Sequence, residues 1–154
     1  MRSARQSVRP TIWILGCTAG LVACGTTPPG EFPAIAHGVI EGTVRGTAGQ
    51  PLDSVNVTLV IPAQLSGQYA FGTPGMLSRA DGSFSLSVEI YTAADPANLP
   101  DTVGLYVRGS AFPPKYPAPP GEEKISDSVL VATALGSPDI SPPVTEAPIT
   151  LPIP

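Results

Sequence analysis

Twenty prolines and 16 glycines are spread through 154 residues, so almost no window long enough for a stable helix is free of a breaker. The stretches between them are short runs with a two-residue apolar period, the pattern of half-buried strands. The clearest is Ser83 to Ile90, where Phe84, Leu86, Val88 and Ile90 share one face and Ser83, Ser85, Ser87 and Glu89 the other. Val55 to Ile61 and Thr102 to Gly109 repeat the alternation, the first with Val55, Val57, Leu59 and Ile61 inward, the second with Val103, Leu105 and Val107. Val39 to Arg45 and Ala147 to Ile153 add a first and a last strand, and Met76 to Arg79 a short one. Ser128 to Leu135 is apolar on both phases, which predicts a central strand.

Turn chemistry joins these runs. Gly46-Thr47-Ala48-Gly49-Gln50-Pro51 separates the first two strands, and Asp81-Gly82 offers the positive-φ position of a tight hairpin before Ser83. About seven strands in about 115 residues predict an all-β, antiparallel, seven-stranded sandwich. Its core would hold about 15 to 20 large apolar side chains, each contributing about 1.5 to 3 kcal/mol on full burial.

The amino-terminal segment has a different character. Arg2, Arg5 and Arg9 precede an apolar run of 13 residues from Thr11 to Ala23, the layout of an export signal. The run is short of the roughly 20 apolar residues that a membrane span needs. Leu21-Val22-Ala23-Cys24 resembles the lipobox of bacterial lipoproteins. That resemblance implies cleavage before Cys24 and acylation of its thiol, so that residues 1–23 are a signal peptide and the membrane is a partner through the lipid anchor. Several acyl chains are needed because one alone holds a protein only marginally. Gly25 after the Cys resembles the pattern sent to the outer membrane where a cell has two membranes; otherwise the outer face of the cytoplasmic membrane is expected. Residues 24–37, with Pro28, Pro29 and Pro33 and no apolar period, read as lipidated Cys and flexible tether, leaving 38–154 as the folded domain.

Loss of the three leading arginines would leave five Lys+Arg against 12 Asp+Glu, a formal charge of −7. Nucleic acid is bound chiefly through Lys and Arg clusters, so it is not an expected partner. Cys17 would leave with the signal, and no thiol would remain for a disulfide. No metal site and no cofactor are expected, because no His or carboxylate set stands at ligand spacing. The one histidine, His37, is also the one base near neutral pKa that could activate a Ser nucleophile, and it reads as a solvated junction residue. The chain is therefore not expected to be an enzyme.

Three strings taken in order resemble a carboxypeptidase regulatory-like domain: Gly38-Val39-Ile40-Glu41-Gly42-Thr43-Val44, Gly49-Gln50-Pro51-Leu52-Asp53-Ser54-Val55-Asn56-Val57-Thr58-Leu59, and Arg79-Ala80-Asp81-Gly82-Ser83-Phe84-Ser85-Leu86. The resemblance covers Gly38 to Ile90 and implies a prealbumin-like (transthyretin-like, Greek-key) sandwich without an active site of its own. Enzymes of related shape fit less well. Hydroxyisourate hydrolases end in Tyr-Arg-Gly-Ser and use more than one His, whereas here Tyr106-Val107-Arg108-Gly109-Ser110 is interrupted and internal. Intradiol dioxygenases bind iron with two Tyr and two His, and one His cannot supply that set.

Two long connections remain, Pro62 to Gly75 with Tyr69 and Phe71, and Ser110 to Asp127 with Phe112 and Tyr116. Connections of that length are often functional. These four aromatics are the candidate ligand contacts, against the plainer expectation that they fold back over the sandwich ends. The sequence thus predicts an envelope lipoprotein whose sandwich is a non-catalytic structural or protein-binding module, or alternatively a carbohydrate-binding one that stacks loop aromatics on sugar rings.

Overall fold

A computed structural model describes residues 33–72 and 75–154; the predicted signal peptide, Cys24 and most of the predicted tether lie outside the described residues. The predicted alternation is realised. In β5 (Ser83–Ala93) Phe84, Leu86, Val88 and Ile90 are buried, and in β6 (Thr102–Ala111) Val103, Leu105 and Val107 are. In β2 (Asn56–Val60) Val57 and Leu59 are buried, with Val55 just before it. β1 runs Ala36–Arg45, so the strand takes in Ala36 and His37, at the end of the predicted tether.

The fold is an all-β sandwich of two sheets. β5 and β1 form the centre of a five-stranded sheet, flanked by β3 (Tyr69–Phe71) on one side and by β8 (Val144–Glu146) and β9 (Ile149–Thr150) on the other. The second sheet runs β4 (Gly75–Leu77), β2, β6, β7 (Ile125–Ala134). Ile40, Val44, Phe84 and Leu86 of the first sheet meet Val57, Leu105, Val107 and Val131 of the second in one core.

Three expectations are corrected. Nine strands are present among the described residues, and the sandwich is mixed, because β8 and β9 both run parallel to β1. The predicted last strand, Ala147 to Ile153, is cut to β9 after Pro148, which has no N–H to give a ladder, and β8, just before it, is an unpredicted second short strand parallel to β1. The strand that is apolar on both phases is not central. β7 is the edge of the four-stranded sheet, and Leu130 is 58% exposed. The Asp81-Gly82 turn forms, with Gly82 at φ +78 and the Asp81 carboxylate accepting from the Ser83 N–H at 2.9 Å. It joins strands of different sheets, since β4 pairs with β2 whereas β5 pairs with β1 and β3.

Gly42 shows how the parallel addition is accommodated. A Cβ at this position would stand 2.1 Å from the Ala147 carbonyl oxygen and 2.7 Å from the Phe84 ring. The bare backbone lets the segment between β8 and β9 close over the core edge, where the Ala147 N–H donates to the Glu41 carbonyl at 2.8 Å.

Candidate functional site

The four predicted contact aromatics do not converge. Tyr69 and Phe71 are not on a loop: after a helical turn at Ala63–Ser66 the chain forms β3, registered Tyr69↔Ala93 and Phe71↔Ile90 with a bulge between Ala70 and Phe71. Their rings meet edge to face at 5.9 Å, and Phe71 packs against the core. Phe112 and Tyr116 lie in the β6–β7 connection, at the end of the sandwich where Ala111 pairs with Ile125. Ala93 and Thr102 belong to the opposite end, because β5 and β6 enter and leave there. The two pairs thus sit at opposite ends of the sandwich.

Within the β6–β7 connection the aromatics differ in role. Tyr116 packs against the core, and its hydroxyl donates to the Asp53 carbonyl at 2.7 Å. Lys115 forms an ion pair with the Asp53 carboxylate. The hydrogen bond from Lys115 lowers the pKa of Asp53 and raises that of Lys115. Burial, then the Asp53 charge, raises that of Tyr116. Phe112 is 44% exposed, with the Lys124 ammonium 5.7 Å from its ring centre. Tyr116 is thus a clamp, and Phe112 is the one ring of this pair presented to solvent.

The concavity with the most chemistry lies elsewhere, on the outer face of the five-stranded sheet. It measures about 400 Å³. Val144 and Pro148 contribute exposed apolar lining over a floor of Gly42 and the buried Phe84 and Ala147, and Glu41, Ser83, Ser85, Arg79 and Glu146 bring polar groups. The parallel register sets Glu41 beside Glu146 on adjacent strands, and the Ser85 hydroxyl donates to Glu41 Oε1 at 3.3 Å. Farther along the same face His37 is in register with Glu89, whose carboxylate accepts from the Tyr91 hydroxyl. His37 is half-buried, not a free junction residue, and its Nε2 is buried without a hydrogen-bond partner. Tyr106 and Arg108 project from the other sheet, so His37 does not join them in a hydrolase-like set. No group of three or more His, Cys, Asp or Glu side chains able to hold a metal occurs among the described residues.

Sequence reasoning missed this concavity. Strand alternation already places Glu41, Ser83 and Ser85 on outward phases, but pairing Glu41 with Glu146 depends on a parallel contact that no periodicity encodes. It also missed Tyr106, 39% exposed beside Leu130 on the outer face of the four-stranded sheet.

No family model matches the chain, and no curated protein matches it. Among solved structures it is similar to the dioxygenase domain of a dioxygenase and carbohydrate-binding protein fusion from the cellulolytic bacterium Streptomyces sp. SirexAA-E. The identity is 16%, the match covers 80% of this chain and 84% of that one, and the TM-score is 0.41. At that score the likeness supports no functional inference.

Proposed function

We propose that this chain is a lipid-anchored binding module of the bacterial cell envelope and that its ligand is a glycan, taken up on the outer face of the five-stranded sheet. The observation that carries the reading is the pairing of Glu41 with Glu146 in a concavity of about 400 Å³. Adjacent strands are about 4.8 Å apart, and like charges side by side on one sheet face are destabilising. A sequence that keeps such a pair breaks a local rule, and broken local rules concentrate at functional sites. Two carboxylates at that spacing accept from neighbouring hydroxyls of one sugar ring. Ser83, Ser85 and Arg79 supply further donors, and exposed Val144 and Pro148 can pack against the C–H face of the ring. The anchor rests on Leu21-Val22-Ala23-Cys24, and the regulatory-like family resemblance of Gly38 to Ile90 agrees with a domain that binds without catalysing.

Screening the protein on an array of bacterial and plant-wall glycans, followed by titration calorimetry on any hit, tests the ligand. Glu41→Gln combined with Glu146→Gln should weaken binding at least about tenfold, since hydrogen bonds to charged groups contribute about 1.5 to 3 kcal/mol. The same variant should hold or gain about 0.2 to 1 kcal/mol of stability from the lost repulsion. Undiminished binding would exclude the concavity as the site. For the anchor, Cys24→Ser should move the protein from the detergent phase to the aqueous phase on partitioning, and retention in detergent would sink the lipoprotein reading.

A second reading, protein contact, has its own observation: Val60, Tyr106 and Leu130 stand side by side in register across the exposed face of the four-stranded sheet.

A further inference from the structure

Strand register orders the hollow of the five-stranded sheet in rows. Glu146, Glu41 and Ser85 stand side by side across β8, β1 and β5, with Val144, Val39 and Ser87 in the row on one side of them and Thr43 with Ser83 in the row on the other. Successive rows on one face are two residues, or about 6.5 Å, apart. The charges are therefore separated. Both carboxylates lie toward β8, whereas Arg79, whose backbone N–H donates to the Ser83 carbonyl at 2.9 Å, lies on the β5 side. Among the described residues the ion pair formed is that of Lys115 with Asp53, so Arg79 neutralises neither glutamate.

This lining narrows the class of ligand. A neutral sugar would satisfy the serine hydroxyls but leave two carboxylates side by side across one strand spacing of about 4.8 Å, where like charges are destabilising. A calcium ion would relieve the repulsion, yet it takes about six to eight oxygen ligands. Around the hollow the described residues offer Glu41 and Glu146 but no third His, Cys, Asp or Glu to complete such a cage. An ammonium group meets both conditions, because it carries one positive charge and three N–H donors, enough to bridge two carboxylates with charge-assisted hydrogen bonds. The field of the chain acts in the same sense: a formal charge of −7 over residues 24–154 attracts a cationic sugar and repels an anionic one. Exposed Val144 and Pro148 add an apolar wall on which a ring can rest.

Resting on the glycan reading of this same hollow, we infer that the sugar it takes is an amino sugar with a free amine, its ammonium held between Glu41 and Glu146. The C–H groups of the ring lie against Val144 and Pro148, and its hydroxyls reach Ser83, Ser85 and Arg79. N-acetylation removes the positive charge and sets a carbonyl acceptor beside two carboxylates that can only accept. The hollow therefore separates a de-acetylated sugar from its acetylated form by charge, at one and the same ring.

Titration calorimetry with a glucosamine tetramer, its fully N-acetylated form and the glucose tetramer of the same linkage separates the charge from the ring. The glucosamine tetramer should bind at least about tenfold more tightly than either of the others, the factor that about 1.4 kcal/mol of charge-assisted hydrogen bonding gives. Glu41→Gln and Glu146→Gln should each erase that preference, and because both positions are exposed the melting temperature should hold. Glu122→Gln combined with Glu123→Gln removes charge from an exposed loop instead and should leave the preference unchanged. Equal binding of the three tetramers that still depends on Glu41 and Glu146 would overturn the amino sugar and keep the glycan, whereas no binding by any of them together with an empty glycan array would remove both. A preference lost equally in the Glu122 and Glu123 variant would reduce it to attraction by an acidic chain and overturn it. Micromolar binding of calcium chloride that is lost in Glu146→Gln would also overturn it, by assigning the carboxylates to a metal.

Discussion

The two outward faces of this sandwich are built on one core and have opposite chemistry. The five-stranded face is concave and hydrogen-bonding, with Glu41, Glu146, Arg79, Ser83 and Ser85 around its hollow. The four-stranded face carries Val60, Tyr106, Leu77 and Leu130, with Arg108 and Thr58 forming the next row. The difference originates in what each sheet adds at its edge. The first sheet accepts β8 and β9 in parallel, which raises one margin of the face and brings Glu146 beside Glu41. The second ends, among the described residues, on the long strand β7, and Leu130 is 58% exposed on its outer face. Two faces with the same inward alternation thus differ in chemistry, and the glycan proposed for the hollow and the protein contact proposed for the other face rest on that difference.

The largest expected effect tests the core that both faces share. Phe84 is 2% exposed, with its ring under the hollow, and Leu105 is fully buried under the other face. Phe84→Ala should cost about 3 to 5 kcal/mol and Leu105→Ala about 2 to 5 kcal/mol in chemical denaturation, through lost burial plus cavity. Ser85→Ala, on the outward phase, should stay within about 0.5 kcal/mol. If Phe84→Ala cost no more than Ser85→Ala, the register of β5 and the hollow built on it would both be wrong.

Two glycines sharpen the contrast at the next level. Gly42→Ala drives a methyl group into the Ala147 carbonyl, a backbone atom with nowhere to go, and should cost about 1 to 3 kcal/mol through overpacking. On the exposed face, a Cβ at Gly104 meets only the Leu130 side chain, at 3.6 Å. Gly104→Ala should therefore be neutral or gain up to about 1 kcal/mol, because glycine weakens a strand interior by roughly that amount. Thermal melts of the pair check this, and equal losses would mean that β8 and β9 do not close over Gly42 as described.

How far the faces could be read from the sequence divides along the same line. The inward phases of β2, β5 and β6 were legible because a two-residue period is a local property, as was the turn at Asp81-Gly82. The partners of each strand were not. Pro143 and Pro148 bracket β8 and leave β9 two residues, pieces too short for any period to register, yet β8 with Ala147 and Pro148 makes one wall of the hollow. β7 misled for a different reason: Val129 and Val131 face inward, but Leu130 is an apolar residue left in solvent, and hydropathy alone cannot separate that from a doubly covered strand. Tyr69-Ala70-Phe71 read as loop because three residues between a helical turn and Gly72 give no alternation to count.

The smallest effect concerns the connection that carries β6 into β7 at one end of the exposed face. Tyr116→Phe removes the hydroxyl that donates to the Asp53 carbonyl and should cost about 0.5 to 1.5 kcal/mol near neutral pH. The pH dependence has a definite sign. The folded pKa of Tyr116 is raised above its ordinary value of 10.0, chiefly by burial, so its contribution is complete below pH 10 and is lost as pH rises through the folded value. Lys115 is raised above 10.5 and behaves in the same sense, whereas Asp53 is lowered below 3.8, so its contribution is present above that value and lost as pH falls through the folded one. The clamp should therefore hold across the neutral range and weaken at both extremes. Tyr116→Phe should flatten the alkaline limb of a stability profile and leave the acid limb unchanged, since Asp53 and Lys115 remain. An alkaline limb unchanged by Tyr116→Phe would assign the alkaline titration to Lys115 alone and remove Tyr116 from the clamp.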